Sequence, residues 1–148
     1  VKGNKVFTYQ GDVEGTSVTV GFNPLLCGHA AECGRLSPSQ FNTTQKPWVQ
    51  PEKGDLAALR AVVFACPSGA LSLAEGTDQP TQLGPDAGSI ELKVAKNGPY
   101  EVRNVAIDAA FNGAGASTNK FVLCRCGQSG NKPFCDGSHR DAKWDDEA

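Results

Sequence analysis

Polar and apolar residues alternate along two early runs, "KVFTY" (5–9) and "SVTVGF" (17–22). A period of two puts alternate side chains on opposite faces of a strand, and the turn-rich "QGDVEGT" between the runs predicts a strand pair or hairpin. From 36 to 54, "LSPSQFNTTQKPWVQPEKG", three prolines interrupt any period. That stretch predicts a long ordered loop anchored by Phe41 and Trp48. The period then changes: in "DLAALRAVVFA" (55–65), Leu56, Leu59, Val62 and Val63 share one helical stripe behind Asp55, a fair N-cap, and Cys66-Pro67 ends the helix. "GALSL" reads as a short strand. Residues 74–88, "AEGTDQPTQLGPDAG", are rich in Gly, Pro and Asp and read as a linker. Beyond it, "SIELKVA" and "PYEVRNVAI" alternate around "KNG", which predicts a second hairpin. A loose loop, "AAFNGAGASTN", precedes the strand "KFVLCRC", and the residues from Asp141 onward read as a helix end and a frayed tail. The expected organisation is an α+β chain with a first domain at 1–75, a linker at 76–88 and a second domain at 89–148.

A chain of 148 residues, 39% hydrophobic, is long enough to bury a core. Fourteen basic against sixteen acidic residues leave a formal charge of −2, and no basic run occurs. Both facts argue against a protein that binds nucleic acid by neutralising phosphates. The longest apolar stretch, "LAALRAVVFAC", is interrupted by charge and too short to cross a bilayer, and no secretory profile opens the chain. The expectation is a soluble, cytoplasmic protein without a membrane span. The numbering begins at Val1 and the chain contains no Met, as when an initiator or leader has been removed.

Six cysteines suit either three disulfides or ligation of a soft metal. Cys124 and Cys126 are one residue apart and point the same way in an extended segment, which suits two thiolates on one metal and makes a poor disulfide pair. They open the pattern Cys124-x-Cys126, eight residues, Cys135, three residues, His139. Four such donors fit one tetrahedral Zn²⁺, or two sulfide-bridged irons with two ligands apiece. Gly127, Gly130 and Pro133 let the intervening loop fold back and turn its N–H groups toward sulfur. If "CDGSH" opens a helix capped by Asp136 or Ser138, Cys135 and His139 lie four apart on one face.

The segment "CRCGQSGNKPFCDGSH" resembles the signature of the CDGSH iron–sulfur domain family, which includes mitoNEET-like proteins, at all sixteen positions. The resemblance extends upstream to "KNGPYEVRNVAI", with Asn104 where a glycine would be usual. It implies a [2Fe-2S] cluster with Cys124 and Cys126 on one iron and Cys135 and His139 on the other. It also implies a small β-structure capping a cluster-binding loop and short helix, and, as in members with one such domain, a homodimer. Independently of the family, a neutral imidazole in place of a thiolate removes negative charge and raises a cluster's potential.

The other three cysteines lie in "CGHAAEC" and "CPSGAL". Against the bacterial ferredoxin run Cys-x2-Cys-x2-Cys with a remote Cys-Pro, Cys27 and Cys33 are the first and third ligands and Cys66 is the remote one. Ala30 fills the vacated second place. Three thiolates suit a [3Fe-4S] cluster, whereas a [4Fe-4S] cluster needs a fourth ligand from water, hydroxide or His29. With "KPWVQPE", these segments are similar to divergent single-cluster ferredoxins over residues 27–71, which implies a small ferredoxin-like α+β fold. The expected function is electron transfer or redox sensing, with redox partner proteins. Delivery of the histidine-ligated cluster to apo-iron–sulfur acceptors is the alternative, and structural zinc a third. No nucleophile-base-orienter set or phosphate loop is present, so catalysis is not expected.

Overall fold

The computed structural model describes residues 6–84, 88–105 and 120–148. Glu14 and Gly15 both take left-handed backbone angles, φ 55° and 80°, the pair of conformations that closes a two-residue hairpin turn. β1 (Phe7–Val13) consequently pairs with β2 (Thr16–Phe22) as far as Val13↔Thr16. The sequence pattern assigned residues 10–16 to the turn. Two residues suffice, and the extra strand length buries Val13. After the loop described next, β3 (Leu71–Glu75) joins the free side of β2, giving the antiparallel order β1-β2-β3.

Between β2 and β3 run α1 (Glu32–Leu36), a 3₁₀ turn at Pro51–Lys53, and α2 (Leu56–Ala65). The expected cap is present: the Ala58 N–H donates to Asp55 Oδ1 at 2.6 Å, which stabilises the helix by about 1 kcal/mol. Leu59, Val62 and Val63 are buried, and Leu56 packs at their margin. The 36–54 loop is ordered as its aromatics predict. Phe41 is buried and bridged to Val49, and Trp48 Nε1 donates to Tyr9 Oη at 2.8 Å while meeting Phe22 edge to face. Fully buried Gln40 holds the loop's far end by donating to the Pro51 and Asp55 carbonyls.

In the second half β4 (Glu91–Val94), β5 (Tyr100–Arg103) and β6 (Lys120–Leu123) form another antiparallel sheet in that order, followed by α3 (Ser138–Asp141). β5 stops at Arg103 because Asn104 is left-handed, φ 63°, a conformation Asn tolerates where glycine would otherwise stand. Its amide donates to the Ser89 carbonyl at 2.8 Å. The strand end expected at 106–107 and the loop at 109–119 lie outside the described residues. The C-terminal residues, expected to fray, are tied down: Asp146 accepts from Arg125 and from the Asn97 N–H, and pairs with Lys96. Among the described residues the protein is an α+β fold with two small sheets.

Two apolar clusters hold these parts. One, containing Val18, Val20, Phe41, Leu59 and Val63, belongs wholly to the first half. The other joins the halves: Leu26 and Ala70 pack with Val102, Phe121 and Phe134. Part of the stretch read as linker folds back on the first sheet, where Thr81 bridges to Leu73 and Leu83 packs on the core. No helix among the described residues is long and apolar enough to cross a membrane.

Candidate metal centres

The backbone around Cys124–Cys126 is anchored through the residue between the two cysteines. Arg125, between the two cysteines, donates to the Gly98 and Ala95 carbonyls at 2.8 Å each, pairs with Asp146, and stacks on Trp144 with 4.7 Å to the ring centroid. A guanidinium held from several directions loses its freedom, so the two flanking thiols are presented together. Their sulfurs lie 3.9 Å apart. The chain returns through a bridge between Leu123 and Phe134, with the Cys124 N–H on the Pro133 carbonyl and the Cys135 N–H on the Val122 carbonyl, both at 2.8 Å.

Asp136 organises the other pair of donors. Its carboxylate accepts from the Gly130 N–H (3.0 Å), the Ser138 N–H (3.0 Å) and the Ser138 hydroxyl (2.6 Å). Of the two expected caps, Asp136 therefore acts, although from one residue ahead of the N-cap position, which Gly137 occupies at φ 85°. Cys135 is thus outside α3. The turn at 136–137 rather than helical spacing brings Cys135 Sγ to 3.4 Å from His139 Nδ1. The Gly137 N–H points at Cys135 Sγ and the Gln128 N–H at Cys126 Sγ, each at 3.4 Å. Amides aimed at sulfur stabilise it as thiolate. Burial pushes the Cys135 thiol up to about 12, so as a free group it keeps its proton. A bound cation supplies the charge compensation that the buried site lacks.

In the first half, Cys33 sits in the opening turn of α1 and Cys66 directly follows α2, its N–H closing the helix on the Val62 carbonyl. Cys27 lies on the segment between β2 and α1. Burial raises the Cys33 thiol above its usual range, and the Cys66 sulfur nearby adds to the shift. His29 and Ala31 take left-handed φ of 57° and 63°, a cost of order 1 kcal/mol or more each. Cys27, His29, Cys33, Trp48 and Cys66 line one cavity of about 710 Å³.

The two sites touch. A Cβ on Gly28 would lie 3.7 Å from Cys135 Sγ, and one on Gly137 would fall within the His29 ring and 3.1 Å from the Cys27 carbonyl oxygen. Asn131 Nδ2 donates to the Leu25 carbonyl at 3.1 Å beside them. Two glycines thus let side chains of one half's ligand segment pack against the backbone of the other's, Cys135 at Gly28 and His29 at Gly137. His29 stands at this seam, with its ring against Gly137.

Cys27, Cys33 and Cys66 line one cavity, Cys124 and Cys126 form one close pair and Cys135 with His139 another, and none of the six cysteines is in a disulfide. Among the described residues no three His, Cys, Asp or Glu side chains converge closely enough to hold one metal ion. The donors of the second site instead come as two close pairs, and those of the first are spread around a cavity. That donor set fits polynuclear groups, which take their ligands at separate irons, better than single ions. Sequence reasoning missed Arg125. Its signal was a position between two ligands, where an alternating backbone turns the side chain to the other face.

Comparison with known proteins adds two family matches. Residues 13–76 match the family described as "Divergent 4Fe-4S mono-cluster", and residues 97–140 match "Iron-binding zinc finger CDGSH type". Protein YjdI of Escherichia coli strain K12 is 40% identical over 57 residues, covering 38% of this chain and 75% of YjdI, and its counterpart in E. coli O157:H7 matches equally. No solved structure matches the chain.

Proposed function

This chain belongs to the divergent 4Fe-4S mono-cluster family and carries a CDGSH-type iron-binding domain behind it, and from that premise we propose that it is an electron-transfer protein with two clusters in contact. Cys124 and Cys126, then Cys135 and His139, would hold a [2Fe-2S] cluster as two ligand pairs. Cys27, Cys33 and Cys66 would hold a [3Fe-4S] cluster, or a [4Fe-4S] cluster if His29 or solvent adds a fourth ligand. Clusters of these kinds accept and return single electrons. The observation that carries the reading is the seam at Gly28 and Gly137, which sets a ligand of one site against the ligand loop of the other. Contact of this kind favours passage of an electron within the chain and supports carriage of electrons over turnover of a substrate. His139, as the neutral donor of its set, raises the potential of its site.

Iron and sulfide analysis with electron paramagnetic resonance tests this. The expected protein is coloured, contains about five or six irons per chain, and shows a [2Fe-2S] signal after dithionite together with a first-site signal, seen as isolated for [3Fe-4S] or after dithionite for [4Fe-4S]. Cys135→Ala should erase only the [2Fe-2S] signal and Cys33→Ala only the first-site signal. A colourless protein holding zinc would sink the proposal.

A second reading, delivery of the [2Fe-2S] cluster, draws support from His139 lining an open groove. Movement of the visible absorbance to an apo-ferredoxin on incubation would favour it, and retention would favour electron transfer.

A further inference from the structure

The groove in front of His139 has a charge that no run in the sequence announces. Its volume is about 730 Å³, and Lys93, Lys96, Arg103, Arg140 and Lys143 line it, against the carboxylates of Glu32 and Glu101. Five cations to two anions gives the wall a formal +3 in a chain whose total is −2. These cations come from β4, the turn after it, the end of β5, and α3 with its flank, so only folding assembles them. Their field crosses the groove: the Glu32 carboxyl, held down mainly by Arg35, is lowered further by Lys93 and Arg103. Lys96 is engaged by Asp146 and Glu147, and Lys93 approaches Glu101 at 3.9 Å. Arg140 and Lys143 are exposed at the open side.

The rim also carries apolar surface. Phe64, 46% exposed, and Trp144, half-buried, both line the groove. Aromatic and arginine side chains around a groove are the composition of a protein-binding hot spot, whereas a small-anion site needs enclosing donors and no exposed phenyl ring.

We propose that this groove is the docking face for a partner protein with an acidic patch, which it seats directly over His139. The proposal rests on the electron-transfer reading and adds the face used and the charge of the partner. Opposite charge would speed encounter and orient the partner so that the second site is the point of exchange.

The test is affinity of the iron-loaded protein for an acidic plant-type ferredoxin, measured by calorimetry at about 20 mM and about 300 mM salt, with iron counted in the same sample. Binding should weaken at least tenfold at the higher salt. Arg140→Glu with Lys143→Glu should weaken it at least tenfold at low salt, while Lys53→Glu, an exposed lysine outside the groove, should leave it unchanged. Equal binding by the double variant, or tighter binding to the basic protein cytochrome c, would overturn the proposal. So would inorganic phosphate at matched ionic strength displacing the ferredoxin completely, which would make the groove a small-anion site. Loss of iron from the sample would instead count against the electron-transfer reading.

Discussion

The two candidate metal centres are built on opposite plans. The second would take all its ligands from residues 124–139, a loop that carries its own scaffolding in Arg125, Asp136 and the amides of Gln128 and Gly137. The first would draw Cys27, Cys33 and Cys66 from a loop, a helix start and a helix end, and relies on the surrounding fold to bring them to one cavity. Span alone does not explain the difference. The ligands cover 16 positions in one site (124–139) and 40 in the other (27–66), and each doubling of a closed loop costs only about 0.6 kcal/mol. What separates the sites is where the holding interactions come from, inside the ligand segment or outside it.

The largest test of that contrast is Asp136→Ala. It removes three hydrogen bonds to a buried carboxylate, a loss of about 4 kcal/mol confined to the self-contained site. Iron should leave the second site faster, followed by its own absorbance, while the first-site signal persists. Simultaneous loss from both would break the contrast.

Lys120 probes the dependent site. This lysine of β6 is fully buried, and its ammonium donates to the carbonyls of Val63 and Phe64 at 2.8 and 3.1 Å, at the end of the helix that delivers Cys66. Burial brings its pKa down to about 8. Below that value the folded chain bears the cost of a buried charge. Between about 8 and 10.5 the folded state holds Lys120 less protonated than the unfolded one, so its contribution to the stability of the iron-free protein should rise with pH, by on the order of 3 kcal/mol. Urea titrations across that window should show the natural chain gaining stability relative to Lys120→Met, whose own profile falls because the buried Cys135 and Cys33 thiols keep protons that the unfolded chain releases. Parallel profiles would show that Lys120 does not carry the linkage.

The smallest effect is expected at Asp146, where Arg125, the Asn97 N–H and Lys96 hold the carboxyl well below the usual range. Its contribution is present above about pH 4 and fades as pH falls toward the folded value. Asp146→Asn should lower the melting temperature slightly at pH 7, and the gap from the natural chain should close in acid. A gap that widened in acid would contradict the assignment.

The same contrast governs what the sequence discloses. The second donor set is legible because its members lie close in sequence and the loop between them carries Gly127, Gly130 and Pro133. The first is legible only against a ferredoxin template, since Ala30 leaves a gap where a ligand would stand. Helix α2 and its Asp55 cap followed directly from periodicity. The seam between the sites did not, because Gly28 and Gly137 are 109 positions apart and a glycine does not announce what packs on it. The basic groove was hidden for a similar reason: its cations are scattered from Lys93 to Lys143, and charge density is a property of the surface rather than of any window. The tail was misread because acidic residues near a terminus suggest fraying, while the cations that hold Asp146 lie about twenty and fifty residues away.

The unequal division of apolar clusters has a consequence for synthesis. The first half owns a core, whereas, among the described residues, Val102, Phe121 and Phe134 cluster with Leu26 and Ala70 of the earlier segment. On a ribosome that delivers the N-terminus first, the early half can fold while the later half is still inside the exit tunnel. It then offers the emerging strands a finished template. The chain is thereby protected from exposing its most cysteine-rich loop before there is a surface to receive it.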